Sequence, residues 1–445
     1  MSVGARSLVA LVLLASPGCG EATVAEFHVV SGRDDPLADA TELVLALEQG
    51  ETTLVEERFG PTFAALRLGG LPFGEGFRLR LDVLAGSFLV ARGHSLVFDV
   101  DASGPSRHPD LWVAPVGRFE SVTSPPDGPP TALAATEEGA LLITEGGTLY
   151  RYVHHRTQDG RPELLRVATL PELAGAGFAV HGERLLAVGG DAPVARWVTA
   201  DGTLGPAMPL SGQRFGATVV SLGDRLVILG GSDLAFGAAG SIARVARVLP
   251  DERLAIQRED ELPCSLRDVP AVALHLSSPA GAARVVTFCQ GSAVATELLS
   301  YDPDTGATAR LTLPGDRSRA ALASVGNGLA LVAGGRDEEG RVSDETFVVG
   351  VGRARLERLS PGPGRLFRPR EGAAALPLRP GLVLVVGGTD ARGAVGESEL
   401  VSFPGDVVLT GSMEPPAARP LATRLEDGAV AVVGAGGVQL WIVPR

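Results

Sequence analysis

Four arginines raise the first chemical question. Arg214, Arg319, Arg370 and Arg419 each stand 15 to 17 residues ahead of a recurring glycine-rich turn. A guanidinium presents a planar fork of donors that grips oxyanions at two points. Arginines repeated at one place in successive units would converge and form a candidate binding site for an anion. The same side chains bonded to main-chain carbonyls would only hold the units together. Cys264 and Cys289 are the second candidate chemistry. Cys264 precedes one apolar segment, residues 271–276, and Cys289 closes the next. If the two segments pair antiparallel, the cysteines come within the 4.4–6.8 Å that a disulfide needs between Cα atoms.

The remaining candidates are weak. His154 and His155 are adjacent, so on a strand they face opposite ways, and no nearby carboxylate or cysteine completes a zinc set. Asp99, Asp101, Asp302 and Asp304 lack the distal bidentate glutamate of a calcium loop and read as turn formers. Neither G-x-S-x-G nor H-E-x-x-H occurs. The expectation is therefore a protein with no catalytic residue, no cofactor and no metal.

What would position these residues is a repeat. An apolar run closed by glycines occurs at Leu141–Gly147, Leu185–Gly190, Leu226–Gly231, Leu329–Gly335 and Leu382–Gly388. Degenerate copies stand at Val285–Gly291 and Val430–Ala435. An interval of about 40 to 60 residues is that of four-stranded propeller blades. Glycine suits a place where the chain takes positive φ and another backbone comes close. An Asp follows four of the pairs (Asp191, Asp233, Asp337, Asp390), and Tyr301 begins the stretch Tyr-Asp-Pro-Asp-Thr-Gly. These features resemble the kelch motif over residues 131–445. The resemblance implies a β-propeller of about seven blades with the four arginines at equivalent points of the ring. Loops 232–241, 336–345 and 389–398 would then share one rim, the natural place for specificity. A copper radical oxidase on a kelch scaffold needs Tyr, Cys and His ligands together, and the histidines here do not cluster.

Ahead of the repeat, residues 19–118 carry short segments of period-2 alternation. In Phe77 to Val83 the apolar side chains alternate with Arg78, Arg80 and Asp82, which predicts one buried and one wet face. Six or seven such segments predict a small immunoglobulin-like sandwich. The proline-rich stretch within 119–130 reads as a stiff linker.

Residues 1–18 have a basic Arg6 and a short apolar run, Leu8 to Ala15. The run is too short for a membrane helix and reads as an export signal. Ser16-Pro17-Gly18-Cys19 resembles the lipobox of bacterial lipoproteins. That resemblance implies that Cys19 is lipidated and becomes the mature N-terminus. Gly20, rather than Asp, after it points to the outer membrane. With Cys19 so used, the other two cysteines are an even pair in an exported protein.

Composition agrees with an all-β chain. There are 58 glycines and 32 prolines, and they punctuate the whole length. The net charge is −13, and all 39 basic residues are arginine with no basic run, which argues against nucleic acid as partner. The functional expectation is a non-enzymatic lipoprotein of the cell envelope. Its propeller would bind a protein, peptide or glycan, and its lipid would hold the membrane. The alternative is an envelope hydrolase, lyase or oxidase with its active site at the propeller channel.

Overall fold

The computed structural model describes residues 8–14, 23–31, 37–50, 52–60, 72–95, 97–101, 104–105, 111–123, 126–137, 139–153, 162–181, 184–210, 215–232, 240–276, 282–289, 295–352, 355–359 and 363–442. Cys19, Arg214, His154, His155 and Asp233 lie outside them. Apart from one short 3-10 turn at Pro171–Leu173, every regular element among the described residues is a β-strand.

From residue 130 onward the strands form four-stranded antiparallel sheets, and they are the blades of a β-propeller. Seven sheets of this size occur among the described residues, the number that the repeat predicts. Their first strands begin at Pro130, Gly177, Thr218, Ala271, Ala321, Ala374 and Leu421, and define blades 1 to 7. From blade 2 round to blade 7 and on to blade 1 those first strands stand beside one another, and the first strand of blade 1 closes the ring against the second strand of blade 2. The second strands are the apolar runs of the repeat, and they are buried on both faces: all six residues of Gly139–Thr144 are buried, and all six of Ala283–Phe288. The physical reason lies in the packing. Each blade is sandwiched between two others, so its second strand has no wet side. The cores sit between blades. Leu141 and Ile143 of blade 1 meet Leu185 and Ala187 of blade 2, and Tyr150 and Tyr152 of blade 1 meet Ala431 and Leu440 of blade 7.

Blade 7 completes its sheet with residues from the other end of the ring. Phe119–Ser121 pairs with Gly437–Trp441 as its outermost strand. The rings of Phe119 and Trp441 stack at 6.2 Å, and the Trp441 indole N–H donates to the Thr410 carbonyl at 3.1 Å. This corrects the linker expected over 119–130. Its first residues are part of the propeller, because a closed ring needs both chain ends in one blade. Asp127 is tied to blade 1 as well, since its N–H donates to the Tyr150 hydroxyl.

The N-terminal domain is a β-sandwich-like roll around Leu43, Leu45, Leu47, Leu79, Leu81 and Val83. Its long strand Gly74–Ala85 is shared: Arg80 to Ala85 pairs with Phe88–His94, and Gly74 to Phe77 pairs with Phe98–Asp101. The sheet therefore turns over its core as one piece. At its far edge Leu8–Leu14 pairs with Thr23–Ser31, so the apolar run expected to belong to an export signal is a strand here. The charged face of Gly74–Ala85 differs from the wet face predicted. Arg80, Asp82 and Arg92 are buried, with Arg80 at 2.8 Å from Glu48 and 2.9 Å from Asp82. Arg92 in turn donates to Asp82 at 2.5 and 2.9 Å. Cross-strand pairing neutralises these charges, and so they tolerate burial.

The sandwich meets blade 7 through the turn after its first strand. Arg78 donates to the Glu426 carbonyl, and the Val97 N–H donates to the Glu426 carboxylate at 3.3 Å. His94 is half-buried at this junction among Asp427, Arg78, Arg92 and Asp82. Burial is the main cause that lowers its pKa to about 3, with Asp427 opposing.

Cys264 and Cys289 are bridged, with Cα atoms 5.7 Å apart. The bridge is not within one blade, as the spacing suggested. Cys264 belongs to Leu254–Leu266, the outermost strand of blade 3, while Cys289 follows the second strand of blade 4. A loop closed over a separation of 25 residues contributes about 3 kcal/mol in the chain-entropy model.

His94 makes the junction acid-sensitive. Its folded pKa lies below the unfolded value of 6.5. The unfolded chain therefore binds the extra proton first, and stability falls as pH drops from 6.5 toward 3. In denaturant melts across that range, a His94→Gln variant is expected to lose less stability than the parent. Parallel pH profiles for the two proteins would remove His94 from this role.

Candidate functional site

Each first strand runs away from one end of the propeller and each second strand returns to it. The glycine turns and the connections into the next blade therefore share one end, the axial mouth. The glycine pairs carry positive φ: 60° and 83° at Gly230 and Gly231, 78° and 86° at Gly334 and Gly335, 65° and 92° at Gly387 and Gly388. Their N–H groups reach the chain that leads on to the next blade. Gly231, Gly335 and Gly388 donate to the carbonyls of Leu266, Arg370 and Ala417, each at 2.9 Å.

The four arginines of the sequence do not occupy one register. Arg370 is fully buried. It donates to the carbonyls of Gly387 and Glu397 at 3.1 and 2.9 Å, and to the Glu399 carboxylate. Its counterpart is Arg317, which the repeat pattern had not singled out. Arg317 is equally buried, donates to the Gly334 carbonyl at 2.7 Å and meets Glu345 at 2.5 Å. Both stand 17 residues before their glycine pair, and that constant spacing was the signal that would have found Arg317. These two fasten the first, second and third strands of their own blade and are closed to any ligand. Burial lowers the pKa of both, and the paired glutamates oppose the shift.

Arg319 and Arg419 form the second register, 15 residues before Gly334 and Gly434. Both are exposed at the mouth. The expected fourfold equivalence is therefore corrected: two arginines reach solvent, Arg370 is structural, and Arg214 lies outside the described residues.

The connection into blade 6 adds groups that sequence spacing missed. Arg336 donates to both oxygens of Glu371 at 2.8 and 2.6 Å, which raises the Arg336 pKa. Arg319 approaches the same carboxylate at 4.0 Å. Arg368 meets Asp390 at 3.2 Å and Glu397 at 3.6 Å. Glu371 is mostly buried and its N–H donates to the Thr389 carbonyl at 2.9 Å. Beneath it the Glu399 carboxylate accepts the N–H groups of Phe367 and Arg368 at 2.7 and 3.3 Å. The arrangement holds a carboxylate and several guanidiniums at the axial end, where blades 5 and 6 meet.

Elsewhere the weak candidates resolve into structure. Asp302 caps its own turn, accepting from Asp304 N–H at 2.9 Å and the Thr305 hydroxyl at 2.7 Å. The Tyr301 hydroxyl donates to Asp260 at 2.6 Å and ties blade 4 to blade 3. Both lie at the end opposite the mouth.

No protein-family model matches this chain, and no curated protein matches it. Among solved structures, a fungal alcohol oxidase of the AA5 family, determined in complex with copper, is similar. The identity is 16%, the match covers 74% of this chain and 77% of that one, and the TM-score is 0.51. At that identity the likeness speaks for the fold, a β-propeller. It also corrects the expectation of a non-enzymatic binding propeller, because the similar solved chain is an oxidase.

Copper itself does not fit the described residues. Cys264 and Cys289 are consumed by the disulfide. No three of His, Cys, Asp and Glu stand where they could share an ion among the described residues. His94 lies in the sandwich, and His181 and His275 end first strands, away from the mouth.

The buried pair beneath the mouth gives a stability prediction. Neutralising one partner of a buried ion pair leaves the other charge uncompensated, at a cost of about 3–5 kcal/mol. Glu399→Gln is expected to lower unfolding stability by that order and to loosen the Phe367–Arg368 backbone. Denaturant melts and amide exchange measure both. A melt unchanged from the parent would show that Arg370 and Glu399 do not act as a pair.

Proposed function

We propose that this protein is an enzyme whose reaction takes place at the axial mouth of the propeller. The observation that carries the reading is architectural. A chain similar over about three quarters of the length of each is an alcohol oxidase, and the mouth here holds Glu371 between Arg336 and Arg319. Oxidation of an alcohol is the reaction class that the likeness supports. A hydrolase or lyase at the same mouth is the second reading. It is favoured by the lack of a three-ligand metal cluster among the described residues and by the carboxylate–guanidinium set that stands there instead. A carboxylate at the mouth can accept a proton or orient a hydroxyl group, and exposed guanidiniums can stabilise developing negative charge.

Turnover tests this directly. The purified protein is given a panel of alcohols, with oxygen uptake and peroxide release followed with and without added copper. A parallel panel of glycosides and uronates is followed for bond cleavage. Activity in one panel, lost in a folded Glu371→Gln variant, is expected. A Glu371→Gln variant as active as the parent, or a folded parent inert in both panels, overturns the proposal.

We further propose that the chain is a kelch-repeat lipoprotein of the cell envelope, at the outer membrane, anchored through Cys19. The glycine pairs with following aspartates support the repeat family, and Ser16-Pro17-Gly18-Cys19 supports the anchor. A lipid chain contributes about 0.8 kcal/mol per buried CH₂, so two or more chains hold a folded body firmly. Labelling with radioactive palmitate in a bacterial host is expected to mark the parent and not Cys19→Ala. The variant should also leave the membrane fraction. Equal membrane recovery of both proteins would rule out the anchor.

A further inference from the structure

Arg319 and Arg419 belong to blades 5 and 7, yet only one glycine stands between them. Gly372 of blade 6 donates its N–H to the Arg319 carbonyl at 2.8 Å. A Cβ placed on Gly372 would lie 3.6 Å from Cγ of Arg419. Gly372 of blade 6 thus lies against the backbone of Arg319 on one side and the stem of Arg419 on the other, and its φ of +69° suits glycine. One hundred residues of chain separate the two arginines, and the ring closes that distance.

Their charges are not consumed by the protein. The Arg319 side chain is 59% exposed and reaches Glu371 only at 4.0 Å, while Glu371 is already gripped at two points by Arg336. Arg419 is exposed, and no carboxylate among the described residues comes within 4.0 Å of it. Two guanidiniums held at one end of the ring, on either side of one glycine, repel one another unless an anion joins them. A third feature of this end points to a ligand of some size. The Phe367 side chain belongs to a residue 58% exposed, although its backbone is anchored on the buried Glu399. An exposed aromatic ring on a fixed stretch of backbone offers apolar area to a bound molecule.

We propose that Arg319 and Arg419 clamp an oxyanion carried by the substrate, a carboxylate or a sulfate ester on a hydroxylated ring, across Gly372. This rests on the reading of the mouth as the reaction face and names the substrate class for it. The planar fork of each guanidinium matches either oxyanion. Phe367 supports the ring of the same molecule.

Titration calorimetry with the full chain tests the clamp. The probes are glucuronate, glucose 6-sulfate, glucose and inorganic sulfate, at low and at high salt. Charged sugars are expected to bind, and the preferred one tells carboxylate from sulfate ester. Glucose should bind at least tenfold more weakly, and each of Arg319→Gln and Arg419→Gln should weaken the charged sugars roughly tenfold, as loss of a hydrogen bond to a charged group does. Salt should weaken them further. Phe367→Ala should reduce sugar binding while leaving inorganic sulfate unaffected. Equal binding of glucose, unchanged affinity in both arginine variants, or inorganic sulfate binding as well as the charged sugars overturns the proposal. Charge-dependent binding without turnover would leave the clamp standing and the enzyme reading fallen. Turnover of a neutral substrate that survives Arg319→Gln would do the reverse.

Discussion

The propeller depends on one close approach, that of a glycine pair to the backbone entering the next blade. A side chain on Gly147, Gly230 or Gly334 would put its Cβ 2.1 Å from the carbonyl oxygen of Leu170, Leu266 or Arg370. Real atoms do not come so close, so these positions accept only hydrogen. The same approach supplies the hydrogen bonds at Gly231, Gly335 and Gly388. Glycine also tolerates the positive φ that the turn demands. Steric room, backbone conformation and the bonds to the next connection thus rest on one residue type at one place in most of the repeats. The apolar runs beside the pairs then bury both faces between blades, and the ring closes on itself.

Arginine does two jobs at the same end of that ring. In one register it lies inside the blade, as Arg317 and Arg370 do, and replaces missing backbone partners with guanidinium donors. Two residues further along the connection the chain has emerged from the blade, and Arg319 stands in solvent. A shift of two residues separates a structural side chain from a candidate binding one, because burial leaves the first no room for a ligand. The carboxylates follow the same division: Glu399 is sealed beneath the mouth, and Glu371 sits just inside it.

Fold and function part company at this mouth. A propeller is a scaffold on which unrelated chemistries are placed, so the architecture shared with an alcohol oxidase fixes where groups converge and not which groups they are. Here the convergent groups are arginines and a carboxylate from blades 5, 6 and 7. The copper chemistry of the similar enzyme would need other residues. Such convergence is a property of the ring, since first strands from distant parts of the chain stand side by side at its axis.

Local pattern carried most of the architecture. The glycine pairs announced blades because close approach demands them wherever they occur, and the apolar runs before them announced strands buried on both faces. The cysteine pair was also legible, although which strands it joined was not: spacing placed Cys264 inside the blade of Cys289, and the bridge crosses between blades. Alternation at Arg78, Arg80 and Asp82 suggested water, since a lone strand cannot reveal that Glu48 and Arg92 come to neutralise its charges. The sequence by itself determined the repeating unit, its turns and its core, for these are set by residues near one another in the chain. Only the tertiary structure decided that Phe119 closes the last blade, that Arg370 is sealed while Arg319 is open, and that Gly372 lies against both Arg319 and Arg419. Each of those depends on ring closure, which brings together residues that no local spacing relates.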